Sequence, residues 1–265
     1  MPQKRDVITD LVADGDDVDR MVANLSLDGW AKPTPAVGWT IKHQIAHLAA
    51  TFRLAGLAAA DAEAFKAMTS RMSADFDANV NAAMADYLAD PPEVLLSRWR
   101  ADRANAEKAL AAVPPGQVVP WLVRPLPAPV LAAAGMMELF GHGQDIADAL
   151  GRRRRRTNRL HHLVGFAVRT WDFGYLARGR TAPEVEFRFE LTSPSGKRTW
   201  EFGPTDSPQR ITGPAVDFCL LVTRRRHRDD LSLLAVGKDA EEWLDLAQAY
   251  RGPAGPGRQP GQFAG

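Results

Sequence analysis

The chain has 265 residues, 45% of them hydrophobic and 25% charged, an ordinary composition for one large domain or two modest ones. Lys plus Arg number 33 against 32 Asp plus Glu, so charge gives no reason to expect nucleic acid as a partner. A single cysteine, Cys219, excludes an intrachain disulfide and a thiolate cluster, and suits a reducing cytoplasm.

From the N-terminus, Met1-Pro2-Gln3-Lys4-Arg5-Asp6 lacks the apolar core of a signal peptide. No apolar run approaches the ~20 residues that span a bilayer, so no membrane association is expected. Residues 5–28 carry apolar side chains at helical spacing, among them Val7, Leu11, Val18, Val22 and Leu25. After a Trp30 to Pro35 loop, Thr40 is a plausible N-cap for a helix running to Ala60. Residues 62–88 read as helix, and residues 93–112 form another between Pro91-Pro92 and Pro114-Pro115-Gly116. A Pro-rich loop containing Trp121 leads into a strongly apolar helix from about Val130 to Leu150. Four principal helices joined by Pro-rich loops describe a helix bundle.

The basic run Arg152 to Arg156 marks a change of character and reads as a solvated segment between domains. Leu160 to Leu176 is predicted as one helix. Glu184 to Leu191 alternates polar and apolar as a half-buried strand does, Ser193-Pro194-Ser195-Gly196 is a turn, and Arg198 to Phe202 returns. Gln209 to Thr212 is a candidate third strand. Pro214 opens a helix over Ala215 to Arg225, and residues 239–250 form the last one. The fold class expected is α+β, mostly α. It comprises a helix bundle over 1–155, a small α+β domain over 156–251, and a Pro/Gly-rich tail over 252–265 expected to be disordered.

Chemistry concentrates in two phrases: Gly38-Trp39-Thr40-Ile41-Lys42-His43-Gln44-Ile45-Ala46-His47-Leu48 and Met137-Glu138-Leu139-Phe140-Gly141-His142-Gly143-Gln144-Asp145. Glu138 and His142 are four apart and share a helix face. An unpaired charge in so apolar a helix is costly, and metal coordination would offset that cost. His43 and His47 are also four apart, and either is a candidate third ligand; Ile45, Ala46, Leu48 and Ala49 place His47 nearer the core. Three protein ligands with a fourth position open is the pattern of a catalytic metal site. Asp145, one turn beyond His142, is a candidate acceptor for an imidazole N–H. Trp39 is expected to brace the helix carrying His47, and Cys219 to be a small buried hydrophobe.

These phrases, in this order and at this separation, resemble the DinB-like metal-binding bundle, and more closely its actinobacterial branch typified by mycothiol-dependent maleylpyruvate isomerase. The resemblance covers nearly the whole chain and implies a divalent ion at His47, Glu138 and His142. Zinc is expected first, with nickel, iron or manganese compatible with the same donors. It also implies mycothiol as thiol cofactor and a small electrophilic substrate, in an enzyme of isomerase or S-transferase type acting as monomer or homodimer. That family's C-terminal domain contributes an arginine near the site; Thr212-Gly213-Pro214 and Thr223 to His227 resemble the corresponding segment. Arg224 and Arg225, with Asp145, are therefore candidate catalytic groups, and His43 and Arg226 candidate cofactor contacts. A thiol-independent metalloenzyme of secondary metabolism and a non-catalytic metal-binding regulator are the alternatives.

Overall fold

The computed structural model describes residues 6–122 and 124–263, and the chain divides into two compact units, 1–154 and 155–265. Four long helices build the first: α1 (Val7–Val22), α3 (Ile41–Ala60), α6 (Pro92–Ala112) and α7 (Ala128–Ala149). Between them lie α2 (Leu27–Trp30), α4 (Ala62–Thr69), α5 (Phe76–Ala89) and a two-stranded ladder, β1 (Val118–Val119) against β2 (Leu126–Pro127). α3 packs against α5, α6 and α7, and α1 packs against α7.

Small residues allow these close approaches. A Cβ on Gly56 of α3 would sit 3.2 Å from the Ala106 backbone of α6, and one on Gly135 of α7 would sit 3.2 Å from Leu11 of α1. The interior is completed by fully buried Leu11, Val18, Ile41, Ile45, Leu48, Leu95, Trp99 and Leu139.

Side-chain caps divide two of the expected helices. The stretch 5–28 stops at Val22, and the Ser26 hydroxyl accepts from the Gly29 N–H to start α2. The stretch 62–88 breaks between Thr69 and Phe76. There Asn79 accepts from the Ser73 N–H at 2.8 Å and donates to the Ser73 carbonyl at 2.7 Å, while Asp75 caps Ala78 at 3.0 Å.

The second unit contains α8 (Leu160–Arg169), α9 (Phe173–Leu176), β3 (Arg188–Thr192), β4 (Thr199–Phe202), β5 (Arg210–Pro214), α10 (Ala215–Val222), β6 (Leu234–Val236) and α11 (Lys238–Leu246). The sheet order is β4-β3-β5-β6, with β3 and β5 parallel and the other pairs antiparallel. The single helix expected over Leu160 to Leu176 is two, because Thr170 ends α8 and its hydroxyl bonds the Phe166 and Ala249 carbonyls. β6 is an addition to the expected strands, and the third strand extends to Pro214.

An aromatic cluster of Phe187, Phe189, Phe218 and Trp243 fills this unit's core, with Phe218 and Trp243 stacked at 5.9 Å. The tail expected to be disordered makes described contacts. The Gly261 N–H donates to Asp230 at 2.8 Å, and the Arg226 guanidinium lies 4.1 Å over the Phe263 ring. The architecture is α+β and mostly α. Among the described residues no helix is long and apolar enough to cross a membrane.

Candidate metal centre

α3 and α7 face one another across the bundle and bring together the two sequence phrases. His142 Nε2 lies 3.2 Å from Glu138 Oε2, and His47 Nε2 lies 3.6 Å from the same oxygen. One ligand atom from each residue falls within 4.8 Å of the others. The i,i+4 spacing puts Glu138 and His142 on one face of α7, and α3 supplies His47 from the opposite wall.

The Glu138 side chain is 22% exposed, His47 19% and His142 13%, so the cluster is lined by protein yet reachable. Burial pushes the Glu138 carboxyl upward, but hydrogen bonds and charge from His142 and His47 outweigh it and hold the group well below the ordinary carboxylate range. Glu138 is thus ionised.

The geometry fits a small divalent ion. Ligand atoms about 2.1 Å from a tetrahedral centre lie roughly 3.4 Å from one another, and the separations of Glu138 from the two imidazoles, 3.2 and 3.6 Å, bracket that value. Two imidazoles and one carboxylate would leave a fourth position open, and the set suits zinc without excluding nickel, iron or manganese.

Trp39 roofs the cluster. Its ring stacks on His142 at 5.9 Å with an interplanar angle of 21°, and lies 5.4 Å from His47 and 6.3 Å from His43. The His47 and His142 rings are themselves 4.5 Å apart. Thr51, one turn along α3, places its hydroxyl 3.4 Å from His47 Nε2.

His43 occupies a different position. Its Nδ1 accepts from the Thr40 N–H at 3.3 Å and lies 2.8 Å from the Thr40 hydroxyl, closing a capping box at the start of α3. Burial, with Lys42 beside it, lowers its pKa and favours the neutral ring.

Asp145 is fully buried on α7, and Gln44 of α3 places its Oε1 2.5 Å from His142 Nδ1. The sequence reading did not single out Gln44. Its only signal there is a polar amide next to the apolar pair Ile45-Ala46, which needs a partner once buried.

Arg224, Arg225 and Arg226 belong to the second unit, just past α10. The Arg224 and Arg225 N–H groups bond the Leu221 and Leu220 carbonyls, each at 2.8 Å, and Arg224 takes the left-handed conformation at φ 57°. The Arg225 and Arg226 guanidinium groups bond the Thr223 and Arg225 carbonyls at 2.5 and 2.6 Å.

The first unit has the DinB-like fold, a four-helix bundle, with a His/Glu/His cluster between facing helices. Residues 11–147 match the family described as the mycothiol maleylpyruvate isomerase N-terminal domain, and the chain belongs to that family. Residues 183–236 also match a family described as wyosine base formation, a likeness confined to the sheet region of the second unit.

Uncharacterised proteins from two strains of Mycobacterium tuberculosis are 44% identical over 251 residues, 95% of this chain and 97% of theirs. Two crystal structures of the mycothiol-dependent maleylpyruvate isomerase, one of them a histidine-to-alanine mutant, share the fold. Their TM-scores are 0.53 and 0.51 at 16% identity, over 81% of this chain and 86% of each of theirs.

Proposed function

We propose that the protein is a metal-dependent, thiol-using enzyme of isomerase or S-transferase type, with His47, Glu138 and His142 holding one divalent ion, zinc first among the candidates. The observation that supports this most is the convergence of two imidazoles and a carboxylate from two helices, with one ligand atom of each within 4.8 Å of the others, in a cluster that retains partial exposure. Family membership points the same way.

A divalent ion held here would lower the pKa of a thiol or water at its open position and so supply a nucleophile at neutral pH. The chain's own groups set the conditions for that. Glu138 brings one negative charge, so the loaded site retains a net positive charge that favours an anionic sulfur. Trp39 covers the imidazoles with an apolar face and excludes water from one side. Cys219 is fully buried on α10, so the sulfur comes from outside the chain, and mycothiol is the thiol that the family resemblance implies. The substrate is a small electrophile, and a reducing cytoplasm is the compartment that keeps such a thiol usable.

The test begins with elemental analysis of protein purified without chelator. One equivalent of metal is expected, lost in His47→Ala/His142→Ala; full retention in the double mutant overturns the site. Calorimetric titration of mycothiol into loaded, metal-free and His142→Ala protein then reads the thiol. Tighter binding to the loaded protein with proton release supports the proposal. Equal affinity in all three removes thiol chemistry and leaves a thiol-independent metalloprotein.

A further inference from the structure

The Gln44 side chain is fully buried beside the metal centre and lies outside the ligand set. We propose that Gln44 is a positioning residue: it fixes His142 in the tautomer that can ligate a metal, and ties that state to the position of the Trp39 loop. The proposal rests on the metal reading above.

The argument follows hydrogen-bond polarity outward from a group that can only accept. The Trp39 carbonyl receives the Thr34 N–H at 2.8 Å and the Thr34 hydroxyl at 2.9 Å. With its own hydrogen committed there, the Thr34 oxygen accepts from Gln44 Nε2, also at 2.9 Å. The other end of the Gln44 amide is then its carbonyl oxygen, 2.5 Å from His142 Nδ1. A carbonyl oxygen accepts, so Nδ1 carries a hydrogen, and in the neutral ring, the form that can ligate a metal, this leaves the lone pair on Nε2. That lone pair faces the Glu138 carboxylate at 3.2 Å. Two acceptors at that distance repel unless a cation or a proton lies between them, and a divalent ion provides the cation.

The same amide governs the roof. The segment from Pro33 to Thr40 closes on itself through a Pro33–Thr40 bridge and the Ile41 N–H to Lys32 carbonyl bond at 3.0 Å, and it carries the Trp39 ring on its return limb. Lifting this loop away takes Thr34 from Gln44. The amide then loses the partner that holds its orientation, and rotation by a half-turn would present its NH2 to Nδ1. His142 would then carry its hydrogen on Nε2, the tautomer that does not ligate. The position of the Trp39 loop and the strength of metal ligation are therefore coupled through one buried amide.

Three full-length variants test this. Gln44→Leu removes both contacts, Gln44→Glu keeps an acceptor for Nδ1, and Thr34→Val cuts only the tether. Long-range proton–nitrogen NMR of the histidine rings in zinc-free protein reads the tautomer, chelator competition reads the zinc dissociation constant, and amide exchange over residues 32–41 reads the loop.

Wild type should show Nδ1–H at His142. Gln44→Leu should mix the tautomers and weaken zinc binding by about tenfold to a hundredfold, the usual cost of an outer-shell partner. Gln44→Glu should fall closer to wild type than Gln44→Leu does. Thr34→Val should speed exchange of the loop and weaken zinc by less than Gln44→Leu. Nε2–H in wild type, or wild-type zinc affinity in Gln44→Leu, overturns the proposal alone. Absence of zinc uptake by wild type overturns the metal reading and the proposal with it. Should Gln44→Leu misfold, unchanged loop exchange and zinc affinity in Thr34→Val overturn the coupling.

Discussion

A buried phenol shows how one residue's environment becomes a measurable property of the protein. Tyr87 of α5 is 1% exposed, donates to Asp102 of α6 at 2.6 Å, and carries the Arg98 guanidinium 4.1 Å over its ring. Burial first, and then the hydrogen bond and charge of Asp102, push its pKa from 10.0 to about 12. Between those values the folded chain keeps a proton that the unfolded chain has lost. The stabilisation is therefore fully present below pH 10 and disappears as pH rises through about 12. Tyr87→Phe should remove this dependence: wild-type stability should fall by about 2–3 kcal/mol across that window beyond the loss in the variant, at ~1.4 kcal/mol per unit. Urea titrations at pH 9 to 12 would measure it, and parallel curves would show that Tyr87 carries no such linkage. At the candidate metal centre, legibility also depended on range. Glu138 and His142 could be read because their relation is local, four residues along one helix. Gln44 could not, because its partner lies 98 residues away and a single buried amide leaves no periodic trace.

At the level of elements, glycine positions separate close packing from open surface. Gly56 of α3 meets the Ala106 backbone of α6, which cannot move aside as a flexible side chain would. Gly56→Val should therefore cost about 1–3 kcal/mol through overpacking. Gly165, inside α8, has only Phe202 Cε1 within 4 Å of an added Cβ, at 4.0 Å. Gly165→Ala should stabilise by up to ~1 kcal/mol, because the helix gains propensity without a clash. Denaturant midpoints of the two variants should move in opposite directions, and a shared sign would contradict the packing described for α3 and α6. Helices were legible wherever apolar spacing persisted through several turns, as in α3, α6 and α7. The breaks were not, because Ser26, Asn79 and Thr170 end or begin helices through specific hydrogen bonds that composition does not display. The β3–β4 hairpin was legible from its turn residues. The parallel register of β3 on β5 and the three-residue β6 were not, since pairing between distant strands leaves no local pattern.

For the whole molecule, the two units have cores of different construction: a helix bundle that mixes aliphatic side chains with Phe52, Tyr87 and Trp99, and a sheet backed by Phe187, Phe189, Phe218 and Trp243. The proposed metal ligands all belong to α3 and α7 of the first unit. An ion that binds only the native state stabilises it by mass action, by about 2.7 kcal/mol at a hundredfold excess over its dissociation constant. That energy should appear where the ligands are anchored. Hydrogen exchange of the full chain, with and without zinc, should show the largest gain in protection across residues 41–60 and 128–149. Amides of β3 and α10 in the second unit should change little. His142→Ala should abolish the difference. Equal protection gained in both units would mean that the ion's binding energy is distributed beyond the bundle. Protection gained in α8 to α11 alone would place its site among residues other than His47, Glu138 and His142.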